Sequence, residues 1–190
     1  MIFSLSKAPA EGEVGQLQRL EAGGLEVAVT LVLVGVEAEF YQQNNLAEQI
    51  HRYFEGVFGA RLDEAKLEAA CEKAERLLRE SYMLPERADE IRAAAPGGKV
   101  LIRHAGEAPF ALETGKQEKL WALKRLWASR WQLDAVLERQ PGLAPPENSS
   151  LLQSVSDDLK ADDGLAEKAS RVLGRRVQVW TSAGKIVRVK

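Results

Sequence analysis

Residues 25–36, Leu-Glu-Val-Ala-Val-Thr-Leu-Val-Leu-Val-Gly-Val, constrain the fold more than any other segment. One side of an extended chain here carries Leu25, Val27, Val29, Leu31 and Leu33. The other begins polar, at Glu26 and Thr30, and turns apolar at Val32, Val34 and Val36. Successive strand side chains point to opposite faces. The pattern therefore predicts a strand that enters the sheet half-covered and finishes in its interior, covered on both faces. β-Branched valine suits the pleat. The run is too short for a membrane-spanning helix, which needs ~20 apolar residues.

The segments around it predict a mixture of elements. Residues 1–6 read as a short first strand. Residues 16–36 read as a β-hairpin turning at Gly23 and Gly24, with a short helix over 13–22, stopped by the same glycines, as the alternative. Asn45 with Glu48 fits a capping box ahead of Leu46, Ile50, Tyr53, Phe54 and Val57, which recur at helical spacing. Asp63 is placed to cap a second helix reaching Tyr82, and Pro85 suits the first turn of a third, over 86–94. Residues 99–104 and 108–112 read as a strand pair around Gly106, and 116–139 as one long helix. Residues 141–150, with three prolines, form a connection. Beyond it come a helix over 150–160, a helix over 164–173 and a terminal hairpin turning at Ser182, Ala183 and Gly184. In that hairpin Val177, Val179, Val187 and Val189 share one face, and Trp180, Arg188 and Lys190 the other. The expected fold is α+β: a small, mainly antiparallel sheet covered by helices, with a C-terminal helix–hairpin appendage. Residues 1–140 form the main body and 141–190 a small C-terminal unit, or both belong to one domain.

The chain has 190 residues, 45% of them hydrophobic and 28% charged, which suits a folded chain that can bury a core without staples. Cys71 is the one cysteine, so no internal disulfide can form. The first residues lack the basic-then-apolar order of a signal peptide, and cytoplasm is the expected location. No membrane partner is expected.

Catalytic and metal signatures do not emerge. His51 and His104 are the two histidines, and neither stands at a zinc-ligand spacing from the other or from Cys71. His51 borders the apolar stripe of its helix, and His104 ends a strand. Glu68, Glu72 and Glu75 around Cys71 oppose thiolate formation. Asp157, Asp158, Asp162 and Asp163 lack the alternation of a calcium loop, and the last two are placed to favour the N-terminus of a helix. Gly115-Lys116 and Gly184-Lys185 lack the remainder of a phosphate-binding loop. No catalytic residue, metal ligand or cofactor is assigned, which leaves an enzyme with an unrecognised site as the least supported class.

Three of the four tryptophans, Trp121, Trp127 and Trp131, lie in 116–139. At about 100° per residue the apolar positions there span more than the sector that rests on one core. The helix is expected to be contacted from two sides, by its own chain or by another. Trp121, Trp127 and Trp131 are therefore the candidate partner-binding residues, since aromatic side chains concentrate at interface centres. The last 27 residues hold seven basic side chains against one acidic, Glu167. Arg175, Arg176, Trp180, Lys185, Arg188 and Lys190 are the candidate nucleic-acid contacts, combining phosphate-binding charge with a stacking ring. The same charges would also guard a sheet edge. The expected function is a non-enzymatic interaction or regulatory protein that self-associates or binds a protein partner. A nucleic-acid accessory role is the alternative, opposed by a pI of about 5.8.

Overall fold

The computed structural model describes residues 1–59, 62–139, 142–144 and 147–190. Pro141, Pro145 and Pro146 of the expected connection lie outside them. The fold is α+β, built on two antiparallel sheets. The main sheet has the order β1 (Ile2–Ser4), β2 (Thr30–Leu33), β5 (Ser150–Ser154), β3 (Val100–His104) and β4 (Ala111–Glu113). The second has the order β6 (Lys160–Ala161), β7 (Val179–Ser182) and β8 (Lys185–Val189).

Alternation of side chains divides the interior. Leu31, Leu33, Val100, Ile102 and Leu152 face a core shared with the helices α2 (Val36–Gln43), α3 (Leu46–Tyr53), α4 (Glu64–Glu80), α5 (Pro85–Ala94), α6 (Lys116–Ser129) and α7 (Leu133–Arg139). Val32 and Leu151 face the other way, into a core closed by α1 (Gly12–Ala22), α8 (Asp163–Leu173) and the second sheet. The main sheet is thus the middle of three layers, which is why all four β2 residues are buried.

Several expectations need correction. Residues 16–24 are not one arm of a hairpin; the helical alternative holds as α1, ending at Gly23. The strand expected over 25–36 is divided between the sheets. Residues 26–28 pair with β8, where the Ala28 amide donates to the Ile186 carbonyl at 2.8 Å and the Ile186 amide to the Glu26 carbonyl at 2.8 Å. β2 follows in the main sheet. Val29, between the two, is exposed. Gly35 adopts φ +68°, which a β-branched residue would resist, and turns the chain directly into α2, an element missing from the sequence reading. The helix expected over 150–160 is instead β5, the middle strand, paired with β2 and β3. The main sheet therefore draws strands from both sides of residue 141. The long helix over 116–139 is two helices with a turn at 130–132. A register shift beside Trp180 also takes Val187 off the face of Val177, Val179 and Val189, into a third cluster with Ala28, Leu101 and Val155.

Asp63 caps α4, accepting from the Lys66 amide at 3.1 Å, and Pro85 opens α5. Asn45 does not cap α3 by its side chain. It sits at φ 48° and its Nδ2 donates to Glu48 at 2.9 Å.

Candidate functional site

The expected tryptophan surface divides sharply. Trp127 is fully buried, its Nε1 donating to Ser150 Oγ at 3.0 Å and its ring 5.2 Å from that of Phe40. Trp131 is 3% exposed, donates to the Tyr41 hydroxyl at 2.6 Å and lies 5.7 Å from Phe54. Both belong to this chain's own core and are withdrawn as partner contacts. Trp121 alone of the three is open, at 56% exposed. One helical turn on, Arg125 Nη2 donates to Glu113 Oε1 of β4 at 2.7 Å, which fixes this side of α6 beside the sheet edge. Phe110 and Leu112 of that edge are 39% and 46% exposed. At the opposite edge Ile2 and Phe3 pack into the two cores.

The C-terminal candidates are also only partly assembled. The Arg188 guanidinium lies 4.8 Å from the Trp180 ring, as expected of residues on one face. Arg175, Arg176, Lys185 and Lys190 are exposed. Arg176 and Trp180 line a cleft of about 700 Å³ between α8 and β7, but Asp162, Asp163 and Glu167 line it too. Arg188 covers a face of the ring that a base would need, and the carboxylates repel phosphate. Asp162 caps α8 through the Leu165 amide at 2.8 Å, while Asp157 accepts from Ser182 Oγ at 2.7 Å and the Ala183 amide at 2.6 Å. These two acids hold turns. Among the described residues, no group of three or more His, Cys, Asp or Glu side chains is placed to hold a metal ion. Nor is any described helix long and apolar enough to cross a membrane. Cys71 is buried, and burial with the nearby Glu75 charge raises its thiol pKa to about 11. His51 is exposed on α3.

Two buried polar groupings went unseen in the sequence. The first lies between the layers. Arg103, fully buried on β3, donates from Nη1 and Nη2 to the Glu13 carboxylate at 2.6 and 3.0 Å, and from Nε to Gln153 at 2.8 Å. Its Nη2 also donates to the Val187 carbonyl at 3.0 Å. Glu13 accepts from the Gly106 and Val189 amides at 2.7 and 2.9 Å. Gln153 completes the set, donating to Thr30 and Val187 at 3.2 and 2.8 Å. This network joins α1, both sheets and the turn after β3.

The second occupies the helical side of the main sheet, where the α6–α7 turn meets the start of α2. His104 is fully buried, with Nε2 3.9 Å from Glu37 Oε2. Arg130 places Nε 3.5 Å from Glu37 Oε1 and Nη1 3.3 Å from Glu107 Oε1. Burial, then the Arg130 charge, lowers the His104 pKa to about 3, against the opposing Leu126 and Asn148 backbone. Burial raises Glu37 to about 7 even beside Arg130. His104 and Glu37 are therefore not an ion pair near neutral pH, since the imidazole is uncharged.

Opposite shifts predict opposite pH slopes. Glu37 keeps its proton in the folded state up to about pH 7 but loses it near 4.5 when unfolded, so its contribution to stability falls as pH rises through that window. His104 is protonated below 6.5 when unfolded but only near 3 when folded, so its contribution is lost as pH falls from 6.5 to 3. The two slopes cancel between 4.5 and 6.5. In Glu37→Gln only the His104 slope remains, and stability relative to wild type should climb by up to about 1.4 kcal/mol per pH unit there. Urea midpoints measured from pH 4 to 8 read this directly; a constant difference between the two proteins contradicts it.

No protein-family model matches the chain, and no curated protein matches it.

Proposed function

We propose that the protein is a non-enzymatic interaction protein that associates with a second copy of itself through β4 and the Trp121 side of α6. The observation that carries this reading is an open sheet edge with exposed apolar groups on both sides of it: Phe110 and Leu112 at the strand, with Leu112 on the face away from α6, and Trp121 on α6, which the tie from Arg125 to Glu113 holds over the other face. No described strand pairs with the outer side of β4. An unpaired edge supplies backbone donors and acceptors, and exposed aromatic and apolar groups supply contact area. Two β4 strands meeting antiparallel about a two-fold axis would form one continuous sheet, with each chain offering the same patch.

Light scattering across micromolar concentrations should show a dimer in equilibrium with monomer. The double variant Leu112→Lys and Trp121→Glu should stay monomeric, with stability changed by no more than about 0.5 kcal/mol per site because both side chains are exposed. A wild-type protein that is strictly monomeric removes the proposal.

The exposed Arg175, Arg176, Lys185 and Lys190 favour one second reading, contact of the basic end with nucleic-acid phosphates. Oligonucleotide binding that weakens steeply with salt, and that Arg175→Ala with Lys190→Ala reduces, is its expected result. No binding at low salt ends it.

A further inference from the structure

Unused hydrogen-bond donors gather on Arg130, in the turn between α6 and α7, and on Arg139, at the end of α7. Four buried guanidinium nitrogens, Nε and Nη2 of both Arg130 and Arg139, lack a hydrogen-bond partner among the described residues. Arg130 is almost wholly buried, yet its Nη2 meets no acceptor and its Nε meets Glu37 only at 3.5 Å, outside hydrogen-bond geometry. Arg139 donates from Nη1 to the Ala135 carbonyl at 2.9 Å and rests over the Trp131 ring at 5.3 Å, leaving Nε and Nη2 unused. Trp131, beneath Arg139, donates to the Tyr41 hydroxyl, and Tyr41 lies one turn along α2 from Glu37, the neighbour of Arg130, so the two cations flank one stretch of α2.

The local carboxylates leave this charge under-compensated. Glu37 is only partly ionised near neutral pH. Glu107 is the outermost contact of Arg130, with its side chain 43% exposed and also held by Asn148 Nδ2 at 3.2 Å. Buried donors left unpaired are costly, and where native structures keep them a bound ion, a water or a chemical role accounts for them. An acceptor-only group with several oxygens fits two forked guanidiniums better than a single water does.

We propose that Arg130 and Arg139, with His104 and Tyr41 behind them, form a binding site for a small oxyanion, the phosphate or carboxylate group of a small molecule. The anion reaches Arg130 by displacing Glu107. This site lies apart from the β4 edge and does not depend on self-association.

Calorimetric titration of the intact protein with inorganic phosphate and with acetate, at constant ionic strength set by sodium chloride, tests the site and separates the two anion classes. Saturable binding of at least one anion is expected, weakened tenfold or more in Arg139→Gln, whose side chain is only half-buried. Absent binding of both, or an affinity that Arg139→Gln leaves within twofold, overturns the proposal. Should Arg139→Gln fail to fold, Glu107→Gln serves in its place. Removing the competing carboxylate should tighten binding several-fold, and unchanged or weaker binding overturns the proposal.

Discussion

Arg103→Ala is expected to lower folding stability by about 3–5 kcal/mol, the range for stranding the partner of a buried ion pair. The substitution leaves the Glu13 carboxylate buried with only the Gly106 and Val189 amides as donors, and removes the Arg103 donor to Gln153 and one of the two donors to the Val187 carbonyl. The cost is concentrated because Arg103 is fully buried and water cannot replace what it loses. Urea denaturation measures it, and a loss below about 1 kcal/mol would contradict the network. Removing both charges is a different experiment. Glu13→Leu with Arg103→Met should recover part of the loss, because a buried pair replaced by apolar groups of similar size is often close to neutral. The two single losses should accordingly sum to more than the double loss.

Trp127→Ala is expected to cost a further 3–5 kcal/mol, for a different reason. The indole is fully enclosed against Phe40 and its Nε1 donates to Ser150, so truncation opens a cavity and strands a buried hydroxyl on the middle strand. Trp127→Phe keeps most of the volume and loses the hydrogen bond, so it should cost distinctly less. Thermal and urea unfolding separate the two variants. A change below about 1 kcal/mol for Trp127→Ala would place the ring at the surface.

Elements with local signals were legible in the sequence. The helix beginning at Asp63, the helix beginning at Pro85 and the strand ending at His104 follow from a cap, a proline and an apolar run. The middle strand was not legible. In β5, Ser150, Gln153 and Ser154 look like surface positions, whereas Ser150 and Gln153 are buried because Trp127, Arg103 and Thr30 satisfy them. Polarity signals exposure only until a partner from another part of the chain is known. The same limit hid the Glu13–Arg103 pair, whose members lie 90 residues apart. Gly23 and Gly24 suit a tight turn, which favours the hairpin reading over the helical alternative, whereas in the structure they follow the end of α1. Gly15 is required within α1, since a Cβ would come within 2.7 Å of the Ala10 carbonyl oxygen.

The three tryptophans of 116–139 divide between core and surface. A wide apolar arc correctly indicated contact on more than one side, and the sheet with helices α2, α3 and α4 supplies that contact for Trp127 and Trp131. Only Trp121, on the remaining flank, keeps the open character of an interface residue. The Glu37–His104–Arg130 grouping could not be anticipated, because its members come from three elements and no spacing in the sequence joins them.

Amide hydrogen exchange at residues 108–115, followed as protein concentration is raised, tests the proposed contact at the strand itself. Protection of the outward β4 amides should grow with concentration in the wild type and stay constant in the Leu112→Lys and Trp121→Glu variant. Exchange at β4 that is the same at every concentration in both proteins would contradict the account.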